Sequence, residues 1–293
     1  MNSLEVKNLS YSYKNFEALK DVSFKVNDGL VGVLGPNGAG KTTLMKILTT
    51  LFSIQKGQVL LNGLDYNKDL KEIRNNLGYL PQDFETYGNI TGREFLEIIA
   101  TLKFSYDKKK IKNVIDELVE KMDMEDYINK RIKEYSGGMK QKLGFTQVLI
   151  GDPNLIIVDE PTVGLDPEQR NIIRELFPKI SKNKIVLTTT HIVEDIEFYC
   201  NYLLVIKKGQ LIYSGTKEGF IKIAEGIIWE VEGNEEVLNK EILKGKILST
   251  MSNEGKFKFR YINKEPLTKD SINIKPNLQD AYIAYGSIVN KDV

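Results

Sequence analysis

One stretch of nine residues limits what this chain can fold into more than any other. Residues 30–34 are an apolar, strand-like run. Gly35-Pro36-Asn37-Gly38-Ala39-Gly40-Lys41-Thr42-Thr43 follows, and a helical pattern begins near residue 42 and runs to about residue 52. The glycines let the backbone curl until successive N–H groups point into one concavity, and the new helix adds the positive end of its dipole. This is the spacing of the phosphate-binding P-loop, in which Lys41 reaches the β- and γ-phosphates and the Thr42 hydroxyl joins a Mg²⁺ ion. Alone, the loop specifies only a nucleoside triphosphate, because kinases, GTPases and motors share it.

Strand character flanks the loop. Residues 4–6, 23–26 and 30–34 are apolar or alternating, with turn residues such as Asn27-Asp28-Gly29 between them; residues 59–61, closed by Asn62-Gly63, read as a hairpin. From about 83 to 150 the period changes from 2 to 3.6. Ile111, Val114, Ile115, Leu118, Val119 and Met122 fall on one helical stripe, with Lys and Glu opposite. Residues 155–158 and 185–189 return to buried-strand character, each followed by a helical pattern, as parallel strands with crossovers require. Residues 203–206 and 211–213 form a hairpin around Lys208-Gly209. Beyond about 220, Trp229 and Val231, then Phe257, Phe259 and Tyr261, alternate with charged residues.

A length of 293 residues suits about two domains at roughly 150 residues each. The expected class is α/β: a P-loop NTPase core with a mixed, mostly parallel sheet, an N-terminal antiparallel β subdomain, a helical insertion at about 83–150, and a small C-terminal α+β appendage. The domains are expected at 1–220 and 221–293.

Hydrophobic residues make up 41% and charged residues 28%, the profile of an ordinary globular protein. The 41 basic residues nearly cancel the 40 acidic ones, and a net charge of +1 gives no footprint for wrapping nucleic acid. One cysteine, Cys200, rules out an intrachain disulfide and suits a reducing cytosol. The opening MNSLEVKNLS has charges where a signal peptide needs an apolar run, and no apolar stretch approaches the roughly 20 residues that span a bilayer. If the protein works on a membrane, another chain is expected to supply it.

Three further segments carry chemistry. The strand at 155–158 runs into Asp159-Glu160. Strand alternation puts the two carboxylates on opposite sides, so Asp159 can hold the metal shell while Glu160 polarises an attacking water as general base. About 20 residues upstream, Tyr135-Ser136-Gly137-Gly138-Met139-Lys140-Gln141-Lys142 sets a serine N-cap and two glycines at the start of a helix through Leu149. That is a second anion-binding helix end. His191, the one histidine, closes a strand at 185–190, at the strand end where open α/β sheets bind ligands.

In order and spacing as well as in letters, these segments resemble the ATP-binding cassette (ABC) family over about residues 1–220. The resemblance implies ATP and Mg²⁺ as cofactors and an ATPase activity. It implies that Tyr13, in Ser10-Tyr11-Ser12-Tyr13, stacks on adenine, with neighbouring Tyr11 as the alternative, and that Gly35 through Thr43 hold the phosphates. Gln82, in Gly78-Tyr79-Leu80-Pro81-Gln82, matches the glutamine that touches metal and water and reports to the membrane partner. The implied metal set is Thr42, Gln82 and Asp159; the implied catalytic set is Glu160, His191 and Gln82, with His191 as the switch near the γ-phosphate. Ser136, Gly137 and Gly138 match the signature loop, which closes in trans on the nucleotide of a second copy. Asp166, in Gly164-Leu165-Asp166, matches the loop that meets its twin across that dimer. Tyr135 stands where the family has leucine and Val163 where it has a small residue; both bear on the fit of the dimer interface.

The wording Thr162-Val163-Gly164-Leu165-Asp166-Pro167, the Tyr135 variant, the β-rich appendage and the segment Pro276-Asn277-Leu278-Gln279-Asp280-Ala281-Tyr282 look most like bacterial exporters of drugs, antibiotic peptides or ions; sugar importers carry a larger C-terminal domain. The implied partners are a separate transmembrane permease and a second copy of this chain, with no nucleic acid, at the cytoplasmic face of the membrane. Phe84-Glu85-Thr86-Tyr87-Gly88-Asn89-Ile90-Thr91 exposes aromatics that can seat a permease helix, local packing being the alternative. Lys256, Lys258 and Arg260 face away from the Phe257-Phe259-Tyr261 stripe, as a solvated face or as a contact for anionic lipid or a partner. The competing class is a soluble ABC ATPase clamping DNA or ribosomes. Such chains usually carry paired cassettes or a long coiled coil, and neither is here. A catalytically weak regulatory module is the third option, and Glu160 with His191 speaks against it.

Overall fold

Alternation in the N-terminal segment builds two long strands rather than several short ones. In a computed structural model that describes residues 1–84, 86–104, 107–233, 246–253 and 256–288, β1 (Ser3–Tyr13) and β2 (Phe16–Asn27) pair antiparallel. β3 (Gly29–Leu34) leads into α1 (Lys41–Leu48), followed by β4 (Lys56–Leu61), β5 (Leu64–Asp65), α2 (Leu70–Asn75) and β6 (Leu77–Leu80). α1 stops short of residue 52. Thr50 takes a left-handed φ of 62°, and the Thr49 hydroxyl donates to the Met45 carbonyl at 2.8 Å, so the chain turns away.

The helical stretch comprises α3 (Gly92–Phe104), α4 (Lys108–Lys121), a 3₁₀ turn (Ile132–Glu134) and α5 (Gly137–Val148). On α4 the expected stripe is the inner face: Ile111, Ile115 and Val119 are buried, as is Met122 beyond it. The core then resumes with β7 (Leu155–Asp159), α6 (Pro167–Ser181), β8 (Ile185–Thr189), α7 (Val193–Tyr199), β9 (Tyr202–Lys207) and β10 (Gln210–Thr216).

Two sheets organise this unit. One is ordered β2-β1-β4-β5; the other is ordered β10-β9-β3-β8-β7-β6, with β9, β3, β8, β7 and β6 pairing parallel. Every residue of β7 and β8 is buried, as parallel strands covered on both faces require. Leu44, Met45, Ile47 and Leu48 of α1 belong to one buried cluster with side chains from both sheets. The parallel order has a consequence for chemistry. The segments that follow β3, β6, β7 and β8 all leave from the same edge of the sheet, where such folds bind their ligands.

The chain divides into two compact units, Met1–Ser214 and Gly215–Val293. The expected boundary at 220/221 falls inside α8 (Lys217–Lys222). The second unit continues with β11 (Ile228–Gly233), β12 (Lys246–Asn253), β13 (Lys256–Ile262), β14 (Ile272–Asn273) and α9 (Leu278–Ile288), its sheet ordered β12-β13-β11-β14. Val231, Phe259 and Tyr261 form its small buried cluster, with Trp229 and Phe257 packed against it. The basic face of β13 is not simply solvated. Lys258 pairs with Glu230 at 2.7 Å, and Arg260 pairs with the buried Asp280; the Lys256 side chain lies outside the described residues. Asn277 and Asp280 cap each other across the start of α9, at 2.9 and 2.8 Å, which accounts for the letters of that tail.

Aromatic contacts tie three helices of the first unit. Phe145 of α5 meets Phe177 of α6 edge-on at 5.5 Å, and Phe177 stacks on Tyr199 of α7 at 4.2 Å. Removing the middle ring, Phe177→Ala, should cost about 3–5 kcal/mol. Urea unfolding followed by far-UV circular dichroism reads that loss as a lower midpoint.

Candidate nucleotide-binding site

The glycine loop is held by its neighbours. Gly40 caps α1 at φ 110°, and a Cβ there would stand 2.6 Å from the Ala18 carbonyl oxygen, so both conformation and space demand glycine. The Gly209 N–H donates to the Ala39 carbonyl at 2.9 Å. Lys41 is buried, and its ammonium donates to the carbonyls of Gly35 at 2.6 Å and Pro36 at 3.2 Å. Burial lowers the Lys41 pKa, while the negative charges of Glu160 and Asp159 push it back up. Thr42 is exposed and Thr43 is buried. The first turn of α1 leaves N–H groups outside its own hydrogen-bonding ladder, beside a fixed cation. That arrangement can hold a phosphate chain.

The acid pair differs from the expected alternating strand. β7 ends at Asp159, and Glu160 takes a left-handed φ of 45°. The backbone turns there because Thr189, opposite in the register, engages both residues: the Glu160 N–H donates to the Thr189 hydroxyl at 3.0 Å, and that hydroxyl donates to the Asp159 carboxylate. Strand alternation therefore does not separate the two acids; both act on Lys41. Burial raises the Asp159 pKa and neighbouring Glu160 adds to the rise, while the Thr189 hydrogen bond and Lys41 oppose it. Sequence reasoning does not single out Thr189. Its only signal there is its place in the run Thr188-Thr189-Thr190 that follows three apolar residues.

His191 lies beyond the end of β8 rather than closing it, and is half-exposed. The Thr190 hydroxyl accepts the Ile192 N–H at 2.9 Å and so shapes that turn. His191 Nδ1 stands 3.6 Å from Glu160 Oε2, too long for a hydrogen bond but within reach of an ion pair if the ring is protonated. Lys41, Asp159, Glu160 and His191 thus converge at one edge of the parallel sheet.

The other expected residues sit differently. Tyr13 is 42% exposed, with its hydroxyl 3.3 Å from Thr43 Oγ1, whereas Tyr11 packs against the core. Gln82 is exposed past the end of β6, and among the described residues no hydrogen bond ties it to the loop or the acids. Ser136 caps α5 by accepting the Met139 N–H at 3.3 Å, and a Cβ on Gly137 would stand 2.5 Å from the Gln169 amide nitrogen. Asp166 caps α6, accepting the Gln169 N–H at 2.8 Å. Tyr135 turns inward: buried, edge-on to Tyr127 and donating to the Tyr127 carbonyl at 3.0 Å, it is a packing residue of the helical stretch. Phe84 likewise packs edge-on to Phe95 at 5.8 Å, while Tyr87 is 79% exposed; Glu85 lies outside the described residues.

The buried carboxylate yields a sign. With its folded pKa raised, Asp159 stabilises the fold most below its unfolded pKa, and that contribution is lost as pH rises through the folded value. Asp159→Asn should therefore gain thermal stability over the parent in the absence of nucleotide, and the gain should be larger near neutral pH than in mild acid. Melting curves at two pH values check this.

The ABC transporter family profile matches residues 19–163. The chain is 38% identical over 213 residues to an ABC transporter ATP-binding protein of Bacillus subtilis, YxlF, covering 72% of this chain and 70% of that one. It is 31% identical over 216 residues to the linearmycin resistance ATP-binding protein LnrL of the same organism, covering 73% and 69%. Among solved structures, an ATP-binding subunit of an ABC transporter superposes with a TM-score of 0.65 at 28% identity, covering 75% of this chain and 92% of that one. With this identity and coverage added to the P-loop, the acid pair and the histidine, the chain belongs to the ATP-binding proteins of the ABC transporter family.

Proposed function

We propose that this chain is the ATP-hydrolysing subunit of a bacterial exporter, working as two copies on a separate membrane permease. The observation that carries the reading is the convergence of Lys41, Asp159, Glu160 and His191 beside a phosphate-binding helix end. Lys41 binds the β- and γ-phosphate oxygens, and the loop N–H groups hold the rest of the chain. Glu160 accepts a proton from water as the oxygen bonds to the γ-phosphorus and the bridging bond to the β-phosphate breaks. ADP and phosphate result. His191, 3.6 Å from Glu160, orients that acid and the γ-phosphate.

The donor set suits Mg²⁺: one buried carboxylate, Asp159, and one exposed hydroxyl, Thr42, with Gln82 able to swing in from the same edge. Mg²⁺ takes few protein ligands and completes its shell with water and phosphate oxygens, and among the described residues no group of three His, Cys, Asp or Glu side chains is placed to hold a metal ion by itself. When bound, the ion neutralises developing phosphate charge. Tyr13 is the adenine platform in this reading, supported by its exposed ring beside Thr43, while Tyr11 is engaged in packing.

The capped start of α5, with Ser136, Gly137 and Gly138, offers N–H groups to the nucleotide of a second copy, and Asp166 lies in the loop that meets its twin. Ile90, Ile98 and Leu102, with Glu94, Glu97 and Thr101, line a groove along α3 of about 530 Å³, and its exposed Ile98 and Leu102 suit a helix of the permease. Among the described residues no helix is long and apolar enough to cross a membrane, which fits a peripheral position on its cytoplasmic side. The exporter direction rests on likeness to the resistance protein of Bacillus subtilis. A clamp on nucleic acid finds no support in a net charge of +1.

Glu160→Gln should lower ATP turnover by about 10²–10⁴-fold while leaving nucleotide binding intact and trapping a closed dimer. Phosphate release and size-exclusion chromatography read the two effects; turnover near the parent rate would remove Glu160 from the mechanism. Mixing Lys41→Ala with Gly137→Asp tests the shared sites. In a mixed dimer one site collects both lesions and the other is whole, so hydrolysis should partly return. If each loop served its own chain, mixing would rescue nothing.

A further inference from the structure

The reading so far leaves an aromatic cluster unexplained. Tyr11 and Tyr13, two apart on β1, project from the same face of the strand. Phe52 joins them from the turn after α1. Tyr11 and Phe52 stack with an interplanar angle of 10° at 5.4 Å, and Tyr13 stands nearly perpendicular to both, 70° from Tyr11 at 5.1 Å and 73° from Phe52 at 5.9 Å. The Lys46 ammonium sits 5.2 Å over the Phe52 ring. Phe52 is placed by the break that ends α1 early: its N–H donates to the Lys46 carbonyl at 2.9 Å across left-handed Thr50.

A half-exposed tyrosine on a strand would otherwise sample several rotamers, and freezing it on a ligand lowers affinity. Here the ring is held on two sides by aromatic contacts and at its tip by Thr43, 3.3 Å away. Both Thr43 and Lys46 belong to α1, the helix that also supplies Lys41. One rigid element thus sets the phosphate cradle at its start and supports the aromatic ring from its body and its trailing turn.

We propose that Tyr11 and Phe52 are positioning residues that pre-set the Tyr13 ring to receive the base of a nucleoside di- or triphosphate. The inference rests on Tyr13 being the base platform. Neither Tyr11 nor Phe52 need touch the nucleotide. Their effect should be confined to ligands that carry a base, because neither residue lies in the glycine loop or supplies a side-chain donor to it.

The test compares ADP with inorganic pyrophosphate, titrated with Mg²⁺ into the full chain by calorimetry or by competition. Phe52→Leu and, separately, Tyr11→Leu should weaken ADP by about two- to tenfold, the usual worth of an aromatic pair, and leave pyrophosphate unchanged. Phe52→Tyr, which keeps the ring, should restore ADP binding. In a Tyr13→Ala background, Phe52→Leu should have no further effect. Equal weakening of pyrophosphate would mark general damage to the loop and overturn the proposal, as would a Phe52 effect that persists without Tyr13. If Tyr13→Ala weakens ADP but neither Phe52→Leu nor Tyr11→Leu does, the platform reading stands and this inference falls. If Tyr13→Ala leaves ADP binding unchanged, the platform reading fails and takes this inference with it. Should Phe52→Leu not fold, Tyr11→Leu decides alone.

Discussion

Phosphate oxygens are held well only by donors that cannot drift away, and in the proposed reading the donors of this chain are backbone N–H groups at the junction of β3 and α1. Their convergence depends on a glycine at φ 110° pressed against the Ala18 carbonyl, and on a loop fastened to Gly209 from outside. It depends equally on α1 being unable to shift. Four of its apolar side chains lie in a cluster shared with both sheets, so moving the helix would open voids on two sides. The antiparallel sheet, whose strands carry no catalytic group, is therefore part of the site's rigidity.

The parallel sheet contributes in another way. Because β3, β7 and β8 run the same direction as neighbours, three segments distant in sequence end together: the glycine loop, the acid pair and the histidine turn. Thr189 joins the last two. Its hydroxyl links to the Glu160 N–H and to the Asp159 carboxylate, so the residue that ends one strand orients the charges at the end of the next. This explains how two carboxylates can stay close to one another beside a buried lysine: each has a donor or a cation to offset the other.

α6 links the remaining parts. Asp166 caps its first turn, Gln169 one turn on lies against Gly137, and Ile172 lies against Gly138. Further along, Arg174 pairs with the buried Asp195 of α7 at 3.4 Å and covers the Phe198 ring. The start of α5, the loop before α6 and the helix after His191 are thus registered by one element. Small displacements of any of them would be felt by the others, because packed helices slip between discrete arrangements rather than deforming smoothly.

Much of this was legible in the letters. Glycines at fixed offsets before a lysine, an apolar strand running into two acids, a serine before two glycines and a solitary histidine after a strand are local signals, since backbone conformation and strand ends depend on residues nearby. The α4 stripe and the hairpin around Lys208-Gly209 were readable for the same reason. What the sequence could not carry was relative placement. The left-handed turn at Glu160 follows from Thr189, a residue 29 positions away that only strand pairing brings opposite. Tyr135 turned out to be a packing ring because Tyr127 and the helical stretch close over it, and Arg260 to be an ion-pair partner because α9 brings Asp280 to it. The choice between Tyr11 and Tyr13 shows the limit most plainly. Both lie on one face of one strand, and only the turn after α1, by stacking Phe52 on Tyr11 and setting it edge-on to the 42%-exposed Tyr13, gives the two rings different surroundings.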